Sequence, residues 1–262
     1  MGSSPLENEH TPIGAAPHAL ATIGVVVVAA GRGERLGLDT PKAFVTIHGR
    51  KLVEFSIAAV TSLPHAGHLV LVVPEAHAAE ALALVEAVLP SATSWDATVV
   101  PGGRERHESV RFGLDALPDS VDTVLVHDAA RPFASVELFE RVLAEVRRTG
   151  DSVVPALQVA DTLKRVDEEG IVHETVDRAP LVAVQTPQGF PREALAAAHA
   201  TVQLQGEAAG VPTDDAEVMQ RSGALVRTVP GERRAHKLTV PDDLVVLESI
   251  LSATAAEALE AR

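Results

Sequence analysis

Short runs of β-branched and aliphatic residues alternate along the chain with longer segments whose hydrophobic positions recur every three or four residues. The first run, Val25 to Ala29, is apolar at every position, which is typical of a strand covered on both faces. The short runs predict strands, and the longer segments predict helices, several of which begin with Pro, Ser or Asp. The alternation predicts an α/β fold, a Rossmann-like and mostly parallel sheet with helices on both faces.

The predicted elements cover most of the chain after its first twenty or so residues. We predict strands over residues 24–30, 69–73, 98–100, 123–127, 152–156, 182–185 and 225–229. Helices are predicted over residues 52–62, 76–89, 108–117, 136–148, 192–203, 214–221 and 241–259.

One segment departs from this alternation and predicts a projecting β-hairpin arm over residues 158–178. Two polar, roughly alternating runs, 159–166 and 171–177, flank Asp167-Glu168-Glu169-Gly170, which has the composition of a turn. Because an isolated two-stranded ribbon is marginally stable, we expect the arm to pack against a second copy of the chain. The alternative is a mobile surface loop.

Composition and charge narrow the function classes. With 262 residues, 46% of them hydrophobic, the chain suits a single domain over residues 23–260, preceded by a flexible leader over residues 1–22. The sequence has neither a long apolar run nor a basic N-terminal signal, so we expect a cytoplasmic protein that does not bind membranes. It has no cysteine and a net charge of −14, which argues against thiolate metal sites and nucleic-acid binding. An anionic ligand would need local cations.

A glycine-rich loop follows the first predicted strand. In Gly31-Arg32-Gly33-Glu34-Arg35-Leu36-Gly37, the glycines would let backbone N–H groups approach phosphate oxygens, although an ordinary turn fits the same residues. Leu at position 36 departs from the dinucleotide fingerprint, and the Gly-Lys-Ser/Thr of a P-loop is absent. Arg35 and Lys42 are cations suited to charge developing on a phosphate, unless they are solvated surface residues.

Two further segments place polar residues at the ends of predicted strands, where ligands of α/β proteins bind. Gly102 and Gly103 precede a helix whose first turn contains Ser109, so they could expose backbone groups to a base or form only a turn and a cap. Asp128 ends a strand and offers an oxygen ligand for Mg²⁺ beside Arg131, a cation for phosphate. A capping Asp paired with Arg is the alternative, and we expect His127 to have a structural role.

The order of the motifs resembles the 2-C-methyl-D-erythritol 4-phosphate cytidylyltransferase family over residues 23–250. The motifs are Ala-Ala-Gly-x-Gly-x-Arg, Pro-Lys, Gly-Gly-x-Glu-Arg-x-x-Ser-Val, His-Asp-Ala-Ala-Arg, Asp-Thr-x-Lys, Thr-Val-Asp-Arg, Thr-Pro-Gln, Thr-Asp-Asp and Lys-Leu-Thr. The resemblance implies transfer of a cytidylyl group from CTP to methylerythritol phosphate, giving 4-diphosphocytidyl-2-C-methyl-D-erythritol and pyrophosphate in the non-mevalonate isoprenoid pathway. It also implies Mg²⁺ or another divalent cation, and a homodimer formed through the arm.

The resemblance implies a role for each matching residue. The CTP-binding residues would be Ala29, Ala30, Gly31, Gly33, Gly102, Gly103, Ser109 and Ala129. Arg35 and Lys42 would stabilise the transition state, and Asp128 would hold the metal. Arg178 and Lys237 would complete the catalytic set and bind the acceptor phosphate, together with Arg131, Thr162, Thr186 and Thr213. Thr162 and Arg178 lie in the predicted arm, so the family pattern would deliver them into the neighbouring subunit's site.

Arg104 and Arg32 are departures that add cations to the two loops. We expect a monofunctional enzyme, because the chain ends before the cyclodiphosphate synthase domain that is fused to this enzyme in some bacteria. No general base is needed, since a phosphate monoester is mostly dianionic at neutral pH. The open alternatives are a cytidylyltransferase for another polyol phosphate such as ribitol 5-phosphate, and a non-catalytic nucleotide-binding protein. A nicotinamide oxidoreductase is a third alternative, which the missing third glycine of the dinucleotide fingerprint disfavours.

Overall fold

The structure is a computed structural model that describes residues 23–31, 33, 36–37, 40–89, 93–205 and 210–260. The predicted leader, residues 1–22, lies outside the described residues. The strands are β1 (Ile23–Val28), β2 (Thr46–Ile47), β3 (Arg50–Lys51), β4 (Gly67–Val73), β5 (Trp95–Pro101), β6 (Thr123–Asp128), β7 (Ser152–Gln158), β8 (Leu163–Val166), β9 (Val172–Val176), β10 (Val182–Val184), β11 (Gln188–Pro191) and β12 (Val226–Pro230). The α-helices are α1 (Leu52–Thr61), α2 (Ala78–Val88), α3 (Arg106–Asp115), α4 (Val136–Thr149), α5 (Arg192–Gln205), α6 (Asp215–Arg221) and α7 (Asp243–Glu260).

Eight strands form one sheet, in the order β10-β7-β11-β6-β1-β4-β5, with β12 also paired to β7. β1 lies between β4 and β6, and these three strands and β5 run parallel. The continuous apolar run in β1 is therefore central, as its composition predicts. The mostly parallel sheet confirms the predicted fold class.

The sheet buries apolar side chains on both faces. Val25 and Val27 of β1 pack in one cluster with residues of α1, α2 and α4, whereas Val26 packs in the opposite cluster with residues of α3, α5 and α6. A third cluster contains Leu36 of the first glycine loop, Leu238 of the segment before α7, and Leu247 of α7. None of the helices in the described ranges combines the length and the hydropathy needed to cross a membrane.

β11 is a strand that the sequence did not predict. Its four residues, Gln188–Pro191, run antiparallel to β6 and also pair with β7 through Gly189. An added side chain at Gly189 would lie 2.6 Å from Val142 of α4, so only glycine allows the helix to pack this closely. The strand is short and contains Gly and Pro, a composition that indicates a loop. It follows the cis peptide Thr186–Pro187.

The predicted hairpin is present as the two-stranded sheet of β8 and β9, separate from the main sheet. At its turn, Gly170 has a φ of 81°, and the side chain of Asp167 accepts the N–H of Ile171 at 2.8 Å. The side chains of Val166, Ile171 and Val172 are more than half exposed, at 53%, 60% and 56%.

The order of the strands fixes where a ligand would bind. From β1 the chain moves outward to β4 and β5 on one side and then crosses to β6 on the other side. The carboxyl ends of β1 and β6 are in register, with Val28 opposite Asp128. In α/β sheets such a switch point opens the crevice in which ligands bind.

Candidate active site

A cavity of about 740 Å³ lies at this switch point. Four parts of the chain that are distant in sequence form it: the end of β1 with its glycine loop and Lys42, the segment from the end of β5 into α3, the end of β6, and Lys237 before α7. It is lined by Val28, Ala29, Ala30, Gly31, Gly33, Lys42, Ala43, Gly103, Arg104, Glu105, Arg106, Ser109, Asp128, Ala130 and Lys237.

The first glycine loop packs directly against Lys42. Gly33 has a φ of 72°, and a Cβ added there would lie 2.7 Å from Cγ of Lys42, so the close approach requires glycine. The ammonium group of Lys42 donates to the carbonyl of Leu238 at 3.3 Å. Leu238 is buried, and its own N–H donates to the carbonyl of Ala130 at 2.8 Å. Lys42 is thus held between the loop and the segment before α7, while Arg35 lies outside the described residues.

The second glycine loop, Gly102–Gly103, is hydrogen-bonded to β4 and to the first turn of α3. The N–H of Gly102 donates to the carbonyl of Val73 at 2.8 Å, extending the pairing of β4 and β5. The hydroxyl of Ser109 accepts the N–H of Gly103 at 3.0 Å, and the carboxylate of Glu108 accepts the N–H of Arg104 at 2.8 Å. The first turn of α3 therefore holds the loop, so Ser109 contributes to the loop's shape as well as to the cavity wall.

Asp128 is the electrostatic centre of the cavity. Its Oδ1 accepts from Nε and Nη2 of Arg106 at 3.1 and 3.0 Å, and its Oδ2 accepts from Nζ of Lys237 at 2.6 Å. Burial alone would raise the pKa of Asp128, but the charges of Arg106 and Lys237 outweigh burial and hold the pKa well below its usual range. Asp128 is therefore an anion that orients two cations.

The same contacts bear on the predicted metal site. Both carboxylate oxygens of Asp128 are engaged by cations, and no group of three or more His, Cys, Asp or Glu residues in the described ranges could hold a metal ion. Asp128 as it lies does not fit a metal ion bound by protein ligands alone. Its assignment as a metal ligand stays a prediction, and a divalent cation would need further oxygen ligands.

Sequence comparisons identify the family to which the chain belongs. The sequence model of the 2-C-methyl-D-erythritol 4-phosphate cytidylyltransferase family matches residues 23–253. The chain belongs to this family. A relative of that name from Streptomyces avermitilis is 43% identical over 239 residues, which cover 88% of this chain and 92% of the relative.

A longer relative from Clavibacter michiganensis, named bifunctional enzyme IspD/IspF, is 50% identical over 230 residues. The match covers 88% of this chain but 54% of that protein, so the chain spans about half of its length. Among solved structures, the 2-C-methyl-D-erythritol 4-phosphate cytidylyltransferase from Thermus thermophilus aligns with a TM-score of 0.70 at 35% identity, over 87% of this chain and 97% of that one. The fold of this family is thus the fold described above.

The structure brings most of the nucleotide residues expected for this family together. Ala29, Ala30, Gly31, Gly33, Gly103 and Ser109 line the cavity, as do Lys42 and Lys237. Gly102 lies behind them against Ala30, and Ala129 is fully buried, with Ala130 facing the cavity in its place.

Several residues predicted to bind the acceptor have other contacts. The hydroxyl of Thr186 is buried and accepts the N–H of Asp128 at 3.0 Å, so it fastens the end of β6. Arg131 donates to the carbonyls of Ala235 and Val184 at 2.8 and 3.3 Å, and burial lowers its pKa. Neither residue lines the cavity.

The remaining three predicted acceptor residues lie away from the cavity in their own chain. Thr213 borders a second cavity of about 380 Å³, where its hydroxyl donates to the carboxylate of Glu217 at 2.8 Å. Thr162 and Arg178 are exposed, and the guanidinium of Arg178 donates to the carbonyl of Ala160. Within one chain, the arm does not reach the nucleotide cavity.

Arg106 is a site residue that sequence reasoning missed. It lines the cavity, contacts Asp128 and also donates from Nη1 to Asp215 at 2.7 Å. The signal was present in Gly-Gly-x-Glu-Arg, whose arginine is the first residue of α3. Its partner Asp215 lies 109 residues later, a separation that no local pattern can bridge.

Proposed function

We propose that this chain is a cytidylyltransferase that joins CTP and 2-C-methyl-D-erythritol 4-phosphate, releasing pyrophosphate. Family membership and the cavity at the switch point support this proposal. The observation that carries it is the joint placement of two glycine loops, Lys42 and Lys237 around one cavity. Backbone N–H groups and paired lysines are suited to a triphosphate and to the negative charge of phosphoryl transfer.

In the proposed reaction, an oxygen of the acceptor phosphate attacks the α-phosphorus of CTP. A new P–O bond forms there while the bond to the β-phosphate oxygen breaks, and the electron pair leaves with pyrophosphate. The acceptor phosphate is mostly dianionic at neutral pH, so no proton has to be removed. Catalysis then depends on positioning and on neutralising charge, which Lys42 and Lys237 are placed to do.

Magnesium is proposed to enter as part of the nucleotide substrate. The reason is that both carboxylate oxygens of Asp128 already accept hydrogen bonds from Arg106 and Lys237. Triphosphate oxygens are the ligands that Mg²⁺ commonly uses in such sites. Arg35 is assigned to the transition state by family resemblance alone.

A pyrophosphate-release assay with purified protein tests the activity. We expect turnover with CTP, Mg²⁺ and methylerythritol phosphate, and little with ATP, GTP or UTP. Ribitol 5-phosphate replaces the acceptor in a parallel reaction, because a related enzyme for another polyol phosphate would use the same nucleotide half. Turnover with ribitol 5-phosphate alone would overturn the proposed substrate, and no turnover with either acceptor would overturn the activity.

Lys42→Ala tests the assigned role of the lysine beside the glycine loop. Removing a charge that stabilises the transition state costs roughly 10²-fold in kcat, by analogy with an oxyanion donor. Lys51→Ala is the matched control, because Lys51 pairs with Glu80 and does not line the cavity. Near-normal turnover of Lys42→Ala would remove Lys42 from the catalytic set.

We also propose that the chain forms a homodimer in which the arm, residues 158–178, reaches the partner's site. The support is that Thr162 and Arg178 are exposed and do not line the cavity of their own chain. The half-exposed Val166, Ile171 and Val172 give the arm an apolar surface to bury.

Mixing two inactive variants, Arg178→Ala and Lys42→Ala, tests this exchange. If the arm acts on the partner, a mixed dimer contains one intact site, and random exchange at equal amounts restores about a quarter of wild-type activity. Tagged subunits confirm that exchange has occurred. Exchange without recovered activity would mean that Lys42 and Arg178 of the same chain act in one site, and would overturn the proposed arm exchange.

A further inference from the structure

Arg106 occupies an unusual position, because its guanidinium group is shared between two carboxylates. Nε and Nη2 donate to Asp128 at the end of β6, and Nη1 donates to Asp215 in the first turn of α6. Arg106 itself begins α3, directly after the Gly102–Gly103 loop. The side chain of Arg106 thus joins α3, the end of β6 and the first turn of α6.

Asp215 lies outside the cavity and is itself held in place. Its side chain is fully buried, and its other oxygen lies 3.2 Å from Nε2 of the buried His199 on α5. The charge of Arg106 outweighs the effect of burial and lowers the pKa of Asp215. Asp215 therefore provides a fixed anionic anchor for the far side of the guanidinium group.

Two carboxylates and two cations of this group are in direct contact. Asp128 and Asp215 are countered by Arg106 and Lys237, and the arginine is the only one of the two cations that contacts both carboxylates. Arginine presents several donors in a rigid plane, whereas the ammonium group of lysine is a single point of charge. A lysine at position 106 would keep the charge but could not reproduce the fork.

We propose that Arg106 is a positioning residue that couples the nucleotide loop to the acceptor half of the site. Its fork fixes the carboxylate of Asp128, and that carboxylate in turn sets the position of the ammonium group of Lys237. Asp215 fixes the orientation of the fork from outside the cavity. The proposal rests on the proposed function and on the role that the family resemblance implies for Lys237, which is to bind the acceptor phosphate.

Kinetics of Arg106→Lys distinguish positioning from a direct contact with the nucleotide. We expect kcat/KM for the acceptor to fall about tenfold or more, while KM for CTP stays within about threefold, because the change acts through Lys237. A purely structural role would lower the amount of folded enzyme and leave both KM values unchanged. A rise confined to KM for CTP would make Arg106 a nucleotide ligand and overturn the proposal.

A double-mutant cycle with Lys237→Ala tests the route of the effect. If Arg106 acts through Lys237, Arg106→Lys costs less than about threefold once Lys237 is gone, whereas independent effects multiply. Multiplying effects would overturn the coupling. The matched control is Arg111→Lys, on the same helix, whose pair with Asp115 is partly exposed and away from the cavity; it should leave every kinetic constant unchanged.

Asp215→Asn provides a second variant that leaves the cavity lining intact. Because Asp215 does not touch the cavity, a drop of about tenfold in kcat/KM for the acceptor, with KM for CTP unchanged, supports positioning through the fork. Circular dichroism and thermal unfolding confirm that each variant is folded. Normal kinetics of folded Asp215→Asn would overturn the role of the anchor, whereas an inactive wild-type enzyme would instead count against the proposed function.

Discussion

Gly102→Ala is the substitution for which the structure predicts the largest effect from the smallest chemical change. A Cβ at this position would lie 2.3 Å from Cβ of Ala30 and 3.0 Å from the hydroxyl of Ser109. Both neighbours are short side chains, and Ala30 follows β1 at the centre of the sheet. The Cβ of Ala30 cannot move aside by changing rotamer, so the loop itself must move.

The size of that movement follows from the distances. Ordinary van der Waals contact begins near 3.4 Å, so the backbone at Gly102 must retreat by about 1 Å from Ala30. This shift weakens its hydrogen bond to Val73 and moves the adjacent Gly103 in the cavity wall. A displacement of about 1 Å costs roughly 10²-fold in rate where reaction depends on positioning, and overpacking costs about 1–3 kcal/mol of stability.

Pyrophosphate release at varied CTP concentration measures the effect on activity, and urea unfolding measures the loss of stability. Gly150→Ala is the matched control, because Gly150 has a φ of 72° with open space around it and caps α4 far from the cavity. We expect the control to lose about 1 kcal/mol of stability while the folded enzyme keeps its kinetic constants. A Gly102→Ala enzyme whose kcat/KM for CTP stays within threefold of wild type would refute the packing argument.

Three smaller perturbations probe other parts of the molecule. Ser109→Ala removes the acceptor for the N–H of Gly103, so KM for CTP should rise about tenfold, which titration calorimetry with CTP checks independently. Leu238→Ala opens space beneath Lys42 and should cost about 2–5 kcal/mol in urea unfolding together with a lower kcat. Burial lowers the pKa of His68 below 6.5, so the folded state resists protonation and the free energy of unfolding should fall as pH drops below about 6.5. His68→Gln should flatten that dependence, and an unchanged pH profile in the variant would assign it to other groups.

The parts of the fold that depend on local patterns were predictable. The apolar run of β1 and the amphipathic segments of the helices predicted their elements to within a few residues, because burial on one or two faces leaves a periodic trace in the sequence. The hairpin turn at Asp167 to Gly170 was equally visible, since its residues favour the turn for local reasons. Strand β11 could not be predicted, because its residues are extended only through pairing with β6 and β7.

The candidate site was likewise predictable where it depends on local patterns, and not where it depends on contacts between distant segments. The position of a glycine directly after a strand indicates a close approach, and Gly102 and Gly33 do lie close to Ala30 and Lys42, whereas their contact with phosphate stays a prediction. Asp128 and Lys237 were both assigned to the site, but their contact and the contribution of Arg106 were not predicted, because the sequence does not show which cations fold toward Asp128. The structure shows Asp128 as an anion that holds Arg106 and Lys237, and its role as a metal ligand stays a prediction.

An aspartate that ends a buried strand has the same local pattern whether it binds a metal ion or a pair of cations, and only the charges brought to it by distant segments decide between the two. Here Arg106 comes from α3 and Lys237 from the segment before α7, and together they contact Asp128 and the buried Asp215. Because both carboxylate oxygens of Asp128 accept from these cations, a divalent cation bound at Asp128 would compete with at least one of them. The triphosphate can supply both the partner for the displaced cation and the ligands for the metal.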